Sequence, residues 1–77
     1  MRTRLWNSEN GSNTCVQFRT DSKPMVWVHS NIGWLGMGNT PENEAEAEKF
    51  AEETAEGYGL VETTPEEALY MAGWTGE

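Results

Sequence analysis

Polar and apolar residues alternate through the first part of the chain. Residues 2–6 (Arg-Thr-Arg-Leu-Trp) and 14–20 (Thr-Cys-Val-Gln-Phe-Arg-Thr) have the two-residue period of a strand that turns one face to a core. Between them lies Asn10-Gly11, the pair best suited to the positive φ angles of a tight turn, so the two segments are predicted to form a β-hairpin. Asp21-Ser22-Lys23-Pro24 is a second turn, because proline presets φ and the aspartate and serine side chains bond locally to the backbone. Met25-Val-Trp-Val-His29 follows as the strongest strand in the chain. Within it, alternation puts His29 on one face with Met25 and Trp27, opposite Val26 and Val28. Ile32-Gly-Trp-Leu-Gly-Met37 reads as a fourth strand weakened by its glycines.

The period changes at Thr40-Pro41-Glu42. A threonine able to cap, a proline in the first turn and acids facing the positive end of the macrodipole predict a helix over residues 41–56. Ala47, Phe50, Ala51, Thr54, Ala55 and Tyr58 follow the spacing of a buried stripe, with Phe50 as its anchor and Gly57 and Gly59 as the stop. Residues 59–63 are short enough to be a strand or an extended connector. Thr64-Pro65-Glu66-Glu67 repeats the helix-start pattern with capping-box spacing, predicting a second helix over 65–72 that ends at Gly73. The two Thr-Pro-Glu starts share only a few residues, so they are one capping solution used twice and not a structural repeat. The fold class is α+β: an antiparallel sheet of three to four strands from residues 2–37, packed by an acidic helix and a short C-terminal one.

Composition sharpens this picture. With 77 residues the chain makes one domain, of a size that buries only about 60% of its unfolded surface. Its single cysteine, Cys15, excludes an intrachain disulfide framework and leaves no clustered ligands for a zinc site. No cofactor is implied. Neither a secretory leader nor a membrane-spanning run is legible in the sequence, so the expected location is the cytoplasm, the host's if the chain is phage-encoded. Asn10-Gly11-Ser12 matches the glycosylation pattern, but without a leader it reads as turn chemistry.

Charge is where the sequence speaks to function. The net charge is -8, which disfavours direct binding of nucleic acid, whose phosphates seek basic surfaces. Residues 1–40 carry four basic against two acidic side chains, whereas residues 41–77 carry eleven acids against Lys49 alone. Glu44, Glu48, Glu52 and Glu56 fall four apart on the first helix, flanked by Glu42, Glu46 and Glu53. Like charges at that spacing cost roughly 0.2–0.5 kcal/mol per pair in an isolated helix, so the row works against its own stability. A solvated face on an acidic protein, suited to a salt-rich cytoplasm, is one reading. The other is imitation of a phosphate backbone: four residues advance about 6 Å along a helix, close to the roughly 6.8 Å spanned by two phosphate steps on one DNA strand. In size and charge the chain is similar to small acidic proteins of phages and mobile elements that block restriction or CRISPR enzymes. That likeness implies an inhibitor whose partner is a protein with a basic nucleic-acid-binding surface.

Four tryptophans, Trp6, Trp27, Trp34 and Trp74, exceed what a thin core buries whole. Trp34, set among Gly33, Gly36 and Gly38, is the one expected to be presented to a partner. The alternative function is a structural or accessory subunit, a homodimer included, that assembles through its tryptophan-bearing sheet. Catalysis is not expected. Cys15 and His29 fall on separate strands with no third group to orient a base, and carboxylates spread along an exposed helix lack the desolvated pocket that acid–base work needs. The glycines of residues 33–38 match neither a phosphate-cradling loop nor a dinucleotide fingerprint.

Overall fold

The computed structural model describes residues 3–9, 14–20, 22–30 and 32–64. Five strands and one helix follow in the order β1 (Thr3–Asn7), β2 (Cys15–Thr20), β3 (Pro24–Ser30), β4 (Gly33–Gly36), α1 (Glu44–Gly57) and β5 (Val61–Thr63). All strand pairs are antiparallel, and the sheet order is β4-β3-β2-β1-β5. The architecture is therefore α+β, with a sheet one or two strands wider than the sequence predicts. Residues 61–63 resolve the strand-or-connector ambiguity by pairing with β1, Leu5 opposite Thr63 and Trp6 opposite Glu62. The turn at Asn10-Gly11, Asp21 of the second turn and the helix predicted over 65–72 lie outside the described residues.

Register assigns the faces. Arg4 and Trp6 on β1 stand opposite Phe18 and Val16 on β2, which stand opposite Val26 and Val28 on β3. This row faces α1. Phe18, Val16, Val26, Trp6 and Leu60 are buried against Ala47, Ala51 and Ala55. Three alanines four apart give α1 a flat, narrow stripe, so its axis can approach the sheet closely.

The helix departs from the sequence reading in three ways. It starts at Glu44, not residue 41, because the cap is Asn43, whose carboxamide oxygen accepts a hydrogen bond from the Glu46 amide at 3.1 Å. Asparagine caps at least as well as threonine, and Thr40 is engaged elsewhere: its hydroxyl donates to the Met37 carbonyl and accepts from the Val26 amide, tying the loop to β3. Phe50 is not the anchor. At about 100° per residue it stands to one side of the alanine stripe, partly buried against the core. Tyr58 is exposed, since it is the C-cap and lies beyond the helical series. The glycine stop does hold: Gly59 has φ +71°, and the amides of Gly59 and Leu60 bond the carbonyls of Glu56 and Ala55 at 3.0 Å each. This is a Schellman closure, with Leu60 returning to the core.

On the opposite face, Gly36 stands across from Trp27. A Cβ there would come within 2.9 Å of Met25 Cε and 3.0 Å of Trp27 Cζ3. The methionine tip can swing aside, but the indole is rigid. Gly36→Ala is therefore expected to push the Trp27 ring outward, cost about 1 kcal/mol and shift tryptophan emission. Unaltered emission and denaturation midpoint would show that the ring does not lean on Gly36.

Candidate functional site

The most structured polar feature centres on Arg4. Alternation along β1 places it on the same face as Trp6, toward α1, where a cation is costly unless paired. It is paired three times. Nε and Nη2 donate to the two carboxylate oxygens of Glu62 at 2.9 and 2.6 Å, a bidentate fork. Nη1 donates to Glu48 at 2.8 Å and to Glu52 at 2.7 Å. The guanidinium carbon also lies 4.7 Å from the Trp6 ring centroid, within cation–π range. One side chain thus joins β1, β5 and α1.

Electrostatics follow the geometry. The hydrogen bonds that Arg4 donates to Glu62, then those to Glu52 and Glu48, hold its pKa above the ordinary value against the cost of burial. Reciprocally, the bond from Arg4 pulls the Glu62 carboxyl below the ordinary carboxylate range. Beside this cluster a cleft of about 560 Å³ is lined by Arg4, Trp6, Glu52, Glu56, Leu60 and Glu62 among others.

The acidic row therefore does not behave as one line. Residues four apart rotate by about 40° per step, so the row winds around the helix. Only Glu48 and Glu52 reach Arg4. Glu42, Glu44, Glu46, Glu53 and Glu56 are exposed, and Lys49 is the only basic residue in α1. Sequence reasoning missed Arg4 and Glu62. Arg4 was detectable, since it alternates with Trp6 on an inward face. Glu62 was not, because its position depends on β5 pairing with β1 across more than fifty residues.

Trp34 falls in the fourth strand that the sequence predicts over residues 32–37. It lies in β4, half-buried, with its ring edge-on to His29 at a centroid distance of 5.0 Å. Trp6 is in the core, Trp27 is half-buried, and Trp74 lies outside the described residues. Cys15 and His29 turn out to be direct cross-strand neighbours, which strand spacing alone did not indicate. The thiol is buried, its pKa is raised by desolvation, and it lies 3.3 Å from the Asn7 carboxamide oxygen as a donor. A thiol in that state is a poor nucleophile. Among the described residues no group of three or more His, Cys, Asp or Glu side chains is placed to hold a metal ion. No helix among them is long and apolar enough to cross a membrane.

Comparison with family models, with curated proteins and with solved structures finds no match for this chain.

Proposed function

We propose that this chain is a non-enzymatic binding protein that presents its acidic helix to the basic, nucleic-acid-binding surface of a partner and so keeps nucleic acid out. A defence nuclease of the restriction or CRISPR type, met by a phage or mobile element, is the partner class this reading names. The observation that carries it is the division of labour among the carboxylates. Arg4 orders Glu48, Glu52 and Glu62, while Glu42, Glu46, Glu53 and Glu56 stand exposed around them. Three carboxylates on one guanidinium leave the ordered group anionic. Because their side chains are already ordered, docking loses less conformational freedom.

The test is capture of nucleic-acid-binding proteins on the immobilised chain at about 50 mM salt, followed by challenge with duplex DNA or with about 500 mM salt. Both challenges are expected to release the bound protein. The triple variant E46Q/E53Q/E56Q, which leaves the Arg4 cluster intact, is expected to weaken binding about tenfold, from a few tenths of a kcal/mol per charge. Retention that neither DNA nor the glutamines alter would overturn the proposal.

A second reading, an accessory subunit that assembles through its sheet, is favoured by the β4 margin. Ile32 is 78% exposed and Leu35 52%. Among the described residues, β4 has a paired strand on one side only, leaving an edge that can accept another chain. Binding of that kind would respond little to salt and would weaken in Leu35→Lys.

A further inference from the structure

The face of the sheet that meets α1 is covered unevenly. Trp6 on β1, Val16 on β2, Val28 on β3 and Leu35 on β4 stand side by side in register, so all four share the helix side. Trp6 is 5% exposed and Val16 0%, Val28 is half-buried, and Leu35 is 52% exposed. The position of α1 explains the gradient, since it packs on β2 and β3. Five strands put about 19 Å between the outermost two, whereas one helix with its side chains is about 10–12 Å wide. A margin over β4 stays open.

The two flanks of α1 are finished differently. Toward β1, Glu48 and Glu52 close on Arg4. Phe50 is two residues from each of those glutamates, which puts it about 160° around the helix from both, on the flank toward β4. There it packs partly buried against the core, as do Val28 and Met37. Met37 continues β4 on the helix side, its amide bonded to the Val26 carbonyl at 2.8 Å. Phe50 on one side and Leu35 on the other thus border an apolar groove with Val28 between them. Ile32, just before β4, is also exposed and lengthens the apolar margin of that strand. Among the described residues no second helix or strand lies beside α1 on this face.

We infer that this groove seats a basic, amphipathic helix of a protein partner, laid alongside α1. Packed helices keep their axes about 8–10 Å apart, and from a helix over β2 and β3 that distance sets the second axis over β4 and its outer edge. Leucine-sized side chains on the incoming helix would then meet Leu35, Val28 and Phe50. Its charge follows from the rim. Glu46 and Glu53 are the i-4 and i+3 surface neighbours of Phe50, and both are exposed. Lys49 beside them offsets only one. Lysines or arginines bordering an apolar stripe complement that arrangement. A second copy of this chain is the poorer occupant, because α1 is itself acidic and each copy carries a net charge of -8. The inference rests on the acidic helix being the binding surface, as proposed above, and adds an apolar anchor to it.

Two synthetic helical peptides of about 14 residues serve as probes, identical in their lysines, one with leucines along a single face and the other with serines in their place. Titrated into the intact chain, the leucine peptide is expected to bind about tenfold more tightly and to shift the nuclear magnetic resonances of Val28, Leu35 and Phe50. Leu35→Ser, at an exposed position, should leave the fold intact and remove most of that advantage. Val61→Ser, which trims a 43% exposed side chain at the opposite edge of the sheet, should leave the advantage in place. Equal binding of the two peptides, or an advantage that Leu35→Ser does not reduce, would overturn this inference while leaving the acidic-helix reading standing. Failure of both peptides to bind would sink the two together. A dimer in sedimentation without peptide, dissociated by Leu35→Ser, would assign the groove to a second copy and overturn the inference as well.

Discussion

Replacing Phe18 by alanine is expected to cost about 3–5 kcal/mol and to abolish cooperative unfolding at room temperature. Phe18 is the largest fully buried side chain among the described residues. It lies mid-strand in β2, flanked in register by Arg4 and Val26, under a helix whose contact stripe is alanine. Alanines have nothing to extend into the void, and the neighbouring valines are stiff at χ1. The site therefore cannot collapse, and the cavity penalty adds to the lost transfer energy. Domains hold about 5–15 kcal/mol in total, and one of this size belongs at the lower end. Urea titration followed by far-ultraviolet circular dichroism would read the loss. Phe18→Leu should retain a cooperative transition at reduced midpoint. A Phe18→Ala cost under about 1 kcal/mol would mean that α1 does not rest on this residue.

Arg4→Ala carries the second largest expected effect, about 2 kcal/mol, because it removes a cation–π contact and several ion pairs that are each modest when partly exposed. It also leaves Glu48, Glu52 and Glu62 facing one another without a counter-charge. In a domain of this length that corresponds to a fall in Tm of roughly 10 °C. The pH dependence identifies the cause. In the folded protein Arg4 holds the Glu62 pKa below its ordinary value, so the contribution of this pair is present above the ordinary carboxylate range and is lost as pH falls through the lowered folded value. The gap in stability between the parent and Arg4→Ala should therefore be full at neutral pH and close at the acid end. High salt should narrow it too. A gap that is constant from pH 7 to the acid limit would assign the loss to packing against Trp6 instead.

These two residues also mark how far the sequence could be read. Phe18 belongs to an alternating segment, and alternation alone put it on one face with Val16. The hairpin order of β1 to β4 followed from turn residues a few positions long, which act locally and are visible locally. Arg4 is different. Its inward face was implied by its spacing from Trp6, yet its three partners come from α1 and β5, and no short-range pattern connects residue 4 to residue 62. The acidic row shows the same limit. Four-residue spacing predicts neighbours along a helix, but which of them meet a cation depends on how that helix is rotated against the sheet. Thr40 shows a further one: its hydroxyl can cap a helix or tie a loop, and the choice went to the loop because Asn43 was better placed to cap.

By itself, the sequence of this protein determined the strands from their two-residue period, the helix from its alanine stripe, the helix stop from Gly59, and the concentration of acid in the second half. Each of these depends on interactions within a few residues. The tertiary structure alone decided that residues 61–63 join the sheet beside β1, that Arg4 gathers Glu48, Glu52 and Glu62, that Trp34 packs on His29, and that Cys15 and Gln17 are closed to water on the face away from the helix. Those outcomes require segments far apart in the chain to meet, and the free energy that brings them together comes from burial and charge pairing that exist only once they have met.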